Sequence, residues 1–354
     1  MTENILIVGA GVSGLAASIA LASQMAESTP DLTITVFDSR MEQPLGEGGA
    51  ISLTPVAQHY LDQLGVLHEL RQLGDLGGIE VSAIDLFDLQ SGKSLGSLQF
   101  ADEKGLGYGS YRCRRVLRSS LSAAMLAVIR KYPCISVHFE KKLVRAVTSI
   151  QSVTLHFADG TTASGDMLLG CDGVHSTVRN QIVDPGNMSQ YTGVSFVQRL
   201  TTADQIQGDL HFDNTAHHLA QHGSLLESYC DESRERLFVA AIVRIGAKMV
   251  ESHQAASTVQ DDTSMRLYRL ALRCQLRETF GRSTFPCVRD LIENGDDWTL
   301  YPVYQVRQRG NWYSGRTLLL GDSAHAVRTI RDIAPGLLTL LDRCHHVKSL
   351  QLFR

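Results

Sequence analysis

The chain has 354 residues, of which 44% are hydrophobic and 20% are charged, and its formal net charge is -4. This composition is typical of a globular protein with enough apolar residues for a sizeable core, and it excludes a disordered chain. Thirty-three basic residues balance thirty-seven acidic ones without a run of like charge, so we expect no nucleic acid partner.

The cysteines and the apolar N-terminal segment indicate the cellular setting. Seven scattered cysteines, never spaced C-x-x-C, favour reduced thiols in a cytoplasmic protein over a disulfide or zinc framework. The apolar stretch from Ile5 to Ala22 contains Gly9, Gly11 and Gly14 and lacks a basic leader. We therefore interpret it as a strand, a turn and a helix, and we expect no membrane segment. The oligomeric state is left open.

The first part of the chain predicts a β-α-β unit followed by further helices and strands. Strands are expected at Asn4 to Val8 and Leu32 to Phe37, with an alanine-rich helix from Gly14 to Met25 between them. Helices are expected at Thr54 to Leu64 and at Val116 to Lys131. Three or four short strands follow between residues 134 and 169, with the Asp-Gly pair at 159–160 as a hairpin turn.

A second lobe is predicted where this pattern changes. Its expected strands and helices, in chain order, are Gly193 to Leu200, Gly208 to Phe212, Arg236 to Val243, Thr263 to Phe280 and Cys287 to Asn294. A strand at Thr317 to Leu320 returns to the first lobe. We expect an α/β fold in which a Rossmann-type lobe at 1–182, with some sheet contribution to the substrate side, is interleaved with a mixed-sheet substrate lobe at 183–304. Residues 305–354 then return to the first lobe with an incomplete C-terminus.

Residues 9–14 read G-A-G-V-S-G and match G-x-G-x-x-G between a predicted strand and a predicted helix. Gly9 permits the tight turn, Gly11 lets the backbone approach a pyrophosphate, and Gly14 lets the helix and strand pack closely. Asp38 closes the second strand, where a carboxylate can accept hydrogen bonds from the ribose of an adenosine. The spacing predicts a dinucleotide site, and the alternatives are an ordinary glycine turn and a surface aspartate followed by Arg40.

Two later segments carry a family resemblance. Residues 168–179 (LLGCDGVHSTVR) resemble the G-A-D-G-x-x-S-x-V-R segment of the aromatic-hydroxylase-type, or group A, flavoprotein monooxygenases. Residues 317–326 (TLLLGDSAHA) resemble the L-L-G-D-A-A-H segment of the same family. Residues 191–195 (YTGVS) are similar to the entry into the second-lobe sheet of fungal members that act on secondary metabolites. The resemblance covers residues 4–326 and implies that the dinucleotide is FAD.

The resemblance implies positions for the flavin contacts. Asp322 is expected to bind the ribityl chain, with the backbone from Gly321 to Ala324 near the pyrophosphate and the flavin; a helix N-cap is its alternative role. Asp172 corresponds to a family aspartate between the FAD and the approach of NAD(P)H. Its alternative role is to hold the turn together with Ser176 and Arg179.

Two further segments resemble the family less specifically. Residues 47–55 (EGGAISLTP) look like a segment whose backbone passes the flavin ring, which makes Ala50 and Ile51 candidate flavin contacts. Residues 111–117 (YRCRRVL) resemble the R-x-x-L start of a helix that contributes an arginine to FAD. Arg114 fits the spacing to Leu117 and Arg115 is a close competitor, while a solvated arginine cluster is the alternative.

Membership implies that NAD(P)H reduces the FAD and that one oxygen atom of O2 is transferred to a small organic substrate by hydroxylation or epoxidation. The candidates are aromatic, polyketide or terpenoid secondary metabolites. In phenol-hydroxylating members an arginine and a tyrosine of the second lobe orient and help to deprotonate the phenol. Arg199 and Tyr229 have a suitable relative placement, and a structural role is the alternative for each.

No motif indicates a metal site or a nucleophile. The H-E-x-x-H and G-x-S-x-G patterns are absent from the sequence. The adjacent pair His217 and His218 would point to opposite faces of a strand, which disfavours chelation. We therefore expect no metal.

The chain departs from the family after His325. The family continues with a proline, a G-Q-G turn and a helix, whereas residues 326–336 read AVRTIRDIAPG, with Thr329 in the expected proline place. Two hypotheses follow: a short working monooxygenase with a divergent flavin cradle, or a truncated, catalytically inactive FAD-binding-fold protein. A flavin halogenase or prenyl-chain reductase is disfavoured because no W-x-W-x-I-P segment is present.

Overall fold

The structure is a computed structural model that describes residues 3–100, 111–252 and 262–326. A six-stranded sheet forms the centre of the first lobe. In spatial order its strands are β18 (Tyr313–Ser314), β19 (Thr317–Leu319), β12 (Met167–Gly170), β1 (Asn4–Val8), β2 (Thr33–Phe37) and β8 (Ile135–His138). The central strand β1 pairs in parallel with β2 on one side and β12 on the other. The predicted Rossmann-type lobe is confirmed.

Four helices accompany this sheet in the chain: α1 (Val12–Met25), α2 (Pro55–Gln63), α3 (Val66–Gln72) and α4 (Arg118–Ile129). Alternate residues of β1, such as Ile5 and Ile7, share one buried cluster with Leu15 and Ile19 of α1. This packing follows from the period of two in a strand and of about 3.6 in a helix. The core therefore lies directly beside the turn that joins β1 to α1.

The start of α4 differs from the prediction. Val116 and Leu117 belong to strand β7 (Cys113–Leu117), which pairs antiparallel with β3 (Ala50–Leu53) and with β4 (Ile79–Val81). Their backbone groups are used in the sheet, so the helix begins only at Arg118. A separate antiparallel sheet contains β9 (Leu143–Thr148), β10 (Val153–Phe157) and β11 (Thr162–Gly165). The predicted hairpin turn at 159–160 connects the last two strands.

A seven-stranded mixed sheet forms the second lobe. In spatial order its strands are β17 (Thr299–Gln305), β13 (Gln190–Thr202), β16 (Arg236–Arg244), β15 (Gly223–Tyr229), β14 (Thr215–Ala220), β5 (Ala83–Asp88) and β6 (Ser94–Gln99). Helices α5 (Asp262–Phe280) and α6 (Pro286–Asn294) pack on one face through Leu272, Phe280 and Leu291. The other face meets β3 and β7 of the first lobe around Leu117 and Phe238.

The predicted strand at Gly208 to Phe212 is wrong. Gly208 has a φ of 100°, a left-handed conformation that interrupts a strand, and the segment is an irregular loop. The sequence interpretation instead overlooked β14 and β15, the hairpin that follows this loop. Within the described ranges, none of the helices combines the length and the apolar character needed to cross a bilayer.

Candidate functional site

The turn between β1 and α1 brings backbone segments closer together than side chains would allow. Gly9 has a φ of 106°, and a Cβ atom there would overlap the carbonyl oxygen of Cys171. A Cβ atom at Gly14 would overlap the carbonyl oxygen of Gly9. Gly11 differs, because its φ of -77° suits any residue and a Cβ atom there would have no heavy atom of the described chain within 4 Å. The fold therefore requires Gly9 and Gly14, whereas the space beside Gly11 is open.

The open space lies at the N-terminal end of α1. This helix has no side-chain cap at Gly11 and no acidic residue in its first turn. Such a terminus presents backbone N–H groups and a partial positive charge, which together suit a phosphate. Gly321 approaches the same turn, because a Cβ atom there would overlap the hydroxyl of Ser13. The residues present thus fit the pyrophosphate of a dinucleotide.

Asp38 is buried at the end of β2, so the alternative of a surface aspartate is wrong. Its Oδ2 accepts a hydrogen bond of 2.8 Å from the backbone N–H of Ala10, and its carboxylate also accepts bonds from the backbone and guanidinium of Arg40. Burial raises the pKa of Asp38, but the hydrogen bonds from Arg40 and Ala10 outweigh it and the pKa lies below its usual value. A ribose hydroxyl would have to displace the Arg40 guanidinium, whose side chain is 73% exposed.

Arg179 joins the two segments that carry the family resemblance. Its guanidinium is fully buried and donates hydrogen bonds to the carbonyl oxygens of Val174 (2.6 Å), Asn187 (2.9 Å) and Ser323 (2.9 Å). Ser323 in turn donates from its hydroxyl to the carbonyl oxygen of Gly170. These bonds fix the segment after β12 against the short helix α7 (Asp322–His325).

The structure gives Asp172 the role that was considered as its alternative. Its carboxylate accepts hydrogen bonds from the hydroxyl of Ser176 (2.5 Å) and from the backbone N–H groups of Thr177 (2.7 Å) and Val178 (3.1 Å). Burial raises the pKa of Asp172 in spite of these bonds. The carboxylate therefore holds its own turn, and a contact with FAD stays a prediction.

The G-D segment lies where the sequence suggests a flavin contact. Gly321 has a φ of 66°, Asp322 is the first residue of α7 and is half-buried, and Ala324 donates its backbone N–H to the carbonyl oxygen of Gly321. This tight turn directs the start of α7 toward the first turn of α1. The predicted roles of these residues at FAD remain predictions.

The arginines of β7 are directed to opposite sides of the strand. Arg114 donates to the carbonyl oxygens of Gly77 and Gly78, and it lies 3.5 Å from a carboxylate oxygen of Glu80. Arg115 is buried against the second lobe, where its Nε donates to the hydroxyl of Ser228 at 3.1 Å. Both side chains therefore have protein partners, and the alternative of a solvated cluster is wrong for both.

Sequence reasoning missed a third arginine with the same spacing. Arg118 and Leu121 also fit R-x-x-L, and Arg118 is the first residue of α4, as that pattern requires. Its side chain is exposed, and its backbone N–H donates to the carbonyl oxygen of Gly49 at 2.9 Å. Arg118 is thus attached to the segment expected beside the flavin. It becomes a third candidate, with Arg114 and Arg115, for the arginine that binds FAD. The signal was present in the sequence, but it was obscured by the predicted helix start at Val116.

The two candidate flavin contacts of β3 point in different directions. Ala50 packs with Leu117 and Phe238 at the junction of the lobes, whereas Ile51 packs into the core of the first lobe. Next to Ala50, the backbone of Gly49 passes so close to the Gln198 side chain that a Cβ atom would overlap it. Of the two, only Ala50 has its side chain at the junction.

Arg199 and Tyr229 do not form the predicted pair. Both lie on the face of the sheet that packs against the helices. Arg199 Nε lies 2.9 Å from an Asp297 carboxylate oxygen, and its guanidinium sits 5.7 Å from the ring centre of Trp298. Tyr229 packs in the apolar cluster of that face, with its ring centre 5.7 Å from that of Phe212. The structure thus corrects this prediction, because β13 turns Gln198, and not Arg199, toward the first lobe.

A different set of polar groups faces the first lobe. His217 on β14 lies in a row of cross-strand neighbours that point to the same face of the sheet. The row continues through Leu226 and Ala240 to Gln198. Its Nε2 is buried without a hydrogen-bond partner among the described residues. Burial, together with His218 and Arg115, lowers the pKa of His217 to about 4. At neutral pH this side chain is therefore an uncharged imidazole directed toward the lobe junction.

The predicted departure from the family after His325 lies mainly outside the described residues, which end at 326. The missing G-Q-G turn and the place of Thr329 therefore stay sequence observations.

Comparison with known proteins identifies the class. The family described as FAD binding domain matches residues 2–330, and the chain belongs to this family. Its relatives are named as aromatic hydroxylases and monooxygenases, which confirms the resemblance to aromatic-hydroxylase-type flavoprotein monooxygenases and the prediction of FAD.

Particular relatives can be named. The chain is 26% identical over 326 residues to 3-hydroxybenzoate 6-hydroxylase 1 of Aquipseudomonas alcaligenes, covering 92% of this chain and 75% of the relative. It is 25% identical to hispidin-3-hydroxylase of Neonothopanus nambi, covering 91% and 74%. The crystal structure of Klebsiella pneumoniae HpxO with FAD and uric acid superposes with a TM-score of 0.72 at 23% identity, covering 98% of this chain and 86% of that one. This last similarity shows the shared fold.

The glycine turn generates the first testable prediction. Gly11→Ala should leave the stability of the FAD-free protein unchanged but weaken FAD binding by about tenfold or more, because the added methyl group occupies space that only the ligand uses. Gly14→Ala should instead destabilise the FAD-free protein by about 3 kcal/mol, because the methyl group overlaps backbone. Flavin fluorescence titration and urea denaturation measure the two effects. Equal loss of stability in both variants would contradict the assignment.

The second prediction concerns the pH dependence of stability. The pKa of His217 is about 4 in the folded protein and 6.5 when unperturbed, so the unfolded chain binds the proton more tightly. The contribution of the uncharged His217 side chain to the free energy of unfolding is fully present above about pH 6.5. It is lost as the pH falls toward 4, by about 3 kcal/mol in total. His217→Gln should remove this part of the acid sensitivity in urea denaturation. His222→Gln, which changes an exposed histidine, is the control and should leave the acid sensitivity unchanged. If the dependence of the unfolding free energy on pH were the same in His217→Gln as in the wild type, a buried neutral imidazole at His217 would be contradicted.

Proposed function

We propose that the chain is an FAD-dependent monooxygenase that uses NAD(P)H and O2 to hydroxylate a small aromatic substrate carrying an acidic group. When bound, FAD accepts hydride from NAD(P)H and reacts with O2, so that one oxygen atom enters the substrate and the other leaves as water. The observation that carries the proposal is the buried guanidinium of Arg115 at the junction of the two lobes. A phenolic secondary metabolite with a carboxylate fits this description.

Among the residues that the structure describes, the buried cation Arg115 has no carboxylate partner. The residue is 2% exposed, and no carboxylate in the described ranges lies within ion-pair distance of its guanidinium. Burial lowers the pKa of Arg115 while the nearby thiols of Cys113 and Cys230 oppose that shift. An unpaired buried charge is costly, and a carboxylate bound in bidentate fashion would compensate for it. Ser228, which itself contacts the hydroxyl of Thr215 at 2.7 Å, holds the guanidinium in place.

His217 supplies the second polar group. Its unpartnered Nε2 can accept a hydrogen bond from a substrate hydroxyl while Arg115 holds an acidic group. This hydrogen bond orients the ring and increases the electron density on the hydroxyl oxygen and on the ring carbon that is to be oxygenated. Beside the polar groups, on the same face of the sheet, lie the apolar side chains of Phe238 and Ala240 on β16, which would exclude water from the ring.

The names of relatives support an acidic aromatic substrate. Two of them are named 3-hydroxybenzoate 6-hydroxylase 1 and 6-hydroxynicotinate 3-monooxygenase, the second from Bordetella bronchiseptica at 24% identity. Both compounds are rings that carry one hydroxyl and one carboxylate. This pair of groups corresponds to the pair formed by His217 and Arg115.

The chain's own residues hold the cofactor in this account. The first turn of α1 at Gly11 and the turn at Gly321 would bind the pyrophosphate, and Asp38 would bind the ribose in place of the Arg40 guanidinium. Arg118 and Asp322 would contribute side chains, and the backbone of Gly49 and Ala50 would lie near the flavin ring. Hydroxylation is favoured over epoxidation because an isolated alkene would use neither Arg115 nor His217. The second hypothesis, a catalytically inactive FAD-binding-fold protein, is kept as an outcome of the test.

The test uses purified protein reconstituted with FAD. NADPH and NADH oxidation and product mass are followed with a panel of hydroxybenzoates and hydroxynicotinates and with their primary amides as neutral matched controls. At least one acid should stimulate oxidation and yield a hydroxylated product, and its amide should be used far less well. Arg115→Met should raise KM for the acid by about 10- to 100-fold, which corresponds to the loss of one charged hydrogen-bonded pair. It should not weaken FAD binding.

Arg112→Met is the matched control, because Arg112 is an exposed arginine of the same segment. It should behave as the wild-type protein does. Equal use of acids and amides, with no effect of Arg115→Met, would contradict the assignment of an acidic substrate. A well-folded protein that FAD cannot reconstitute would support the inactive alternative.

A further inference from the structure

A second cluster of polar side chains lies on the helix-packed face of the seven-stranded sheet. His218 on β14 and Glu227 on β15 are fully buried, and His211 in the preceding loop is half-buried. One potential ligand atom from each of the three lies within 4.8 Å of the other two. We refer to these three residues as the His-His-Glu cluster. It is on the opposite face of the sheet from His217 and Arg115.

The cluster satisfies few of its own hydrogen-bonding groups. His218 Nε2 and Glu227 Oε2 are 2.8 Å apart and form the one hydrogen bond recorded between its members. His211 Nε2, His218 Nδ1 and Glu227 Oε1 are buried without a hydrogen-bond partner in the described chain. Buried polar atoms are rarely left unpaired in native proteins, since each costs free energy. All three atoms, two imidazole nitrogens and one carboxylate oxygen, have the chemistry of metal ligands.

The surroundings orient His211 for ligation. Cys287 Sγ lies 3.7 Å from His211 Nδ1, so an N–H at Nδ1 can point at the sulfur and leave the lone pair on Nε2. Phe285 stacks on the His211 ring with centres 3.8 Å apart, and the Phe87 ring lies 4.8 Å away. Fixed rings, a partner on the second nitrogen and apolar neighbours are features that surround metal sites in proteins.

We propose that His211, His218 and Glu227 bind a single divalent transition-metal ion, with Zn²⁺ as the preferred ion. Two imidazoles and one carboxylate suit Zn²⁺, whereas Ca²⁺ and Mg²⁺ prefer sites made of oxygen ligands. The three protein ligands leave a fourth position for water. The ion compensates the charge of the buried Glu227 and attaches the loop that contains His211 to the sheet.

The proposed site differs from the expectation of no metal, which stays untested. As expected, the adjacent histidines point to opposite faces of the strand, since His217 faces the first lobe and His218 faces Glu227. The ligands come instead from three separate segments, so no short sequence spacing announces them. Because the site is on the side of the sheet that faces away from the residues proposed to hold FAD, its loss should alter stability more than cofactor binding.

The experiment measures metal in the full-length protein. Protein treated with chelator is dialysed against Zn²⁺ and then against buffer, and zinc is quantified by mass spectrometry; Co²⁺ binding is followed by difference absorption against the same flavin-loaded protein. We expect about one ion per chain, visible Co²⁺ bands typical of tetrahedral nitrogen and oxygen ligands, and a higher melting temperature with Zn²⁺. His211→Gln and Glu227→Gln should weaken zinc binding by about 100-fold or more, since losing an outer partner alone costs 10- to 100-fold.

The exposed His222, in the turn of the same hairpin, provides the control, and His222→Gln should bind zinc as the wild type does. Wild-type protein that retains no stoichiometric zinc and gives no Co²⁺ bands overturns the proposal. So does His211→Gln that binds zinc as tightly as His222→Gln. If Glu227→Gln fails to fold, the half-buried His211 and the wild-type Co²⁺ spectrum decide the question.

Discussion

Three stretches of backbone meet at the N-terminal end of α1, and their close approach controls both the fold and the candidate cofactor site. Side chains are excluded at Gly9 and Gly14 because each faces backbone directly, and Gly321, with a φ of 66°, faces the side chain of Ser13. The buried Arg179 then ties the Gly321 segment, through the carbonyl oxygens of Ser323 and Val174, to the segment that follows β12. Packing therefore creates a helix terminus with space in front of Gly11, and the same contacts that stabilise the lobe prepare it for a pyrophosphate.

The seven-stranded sheet separates two kinds of chemistry. The face toward β7 carries the neutral imidazole of His217, and the buried guanidinium of Arg115 on β7 packs against this face through Ser228. The opposite face carries the His-His-Glu cluster under α6. Because side chains alternate along a strand, the neighbours His217 and His218 serve different faces. A single hairpin thus contributes to the proposed substrate site and to the proposed metal site without bringing them into contact.

The sequence predicted local features well and long-range ones poorly. The glycine turn, Asp38 and the G-D segment follow from short motifs whose geometry is set by neighbouring residues. Arg199 was assigned to the wrong face because strand register decides orientation, and β13 contains an irregularity between Tyr191 and Ser195 in its pairing with β17 that no pattern reveals. Likewise, α4 begins late because β7 pairs with β3, a contact between residues more than sixty positions apart.

A crystal structure of the protein with FAD and a hydroxybenzoate tests the central claim most directly, since it locates the cofactor and the acid in one measurement. We expect the pyrophosphate at the first turn of α1 beside Gly321, the ribose at Asp38 with Arg40 displaced, and the carboxylate of the ligand on Arg115. FAD bound elsewhere, or Arg115 engaged by FAD while the acid lies against Arg199, would contradict it.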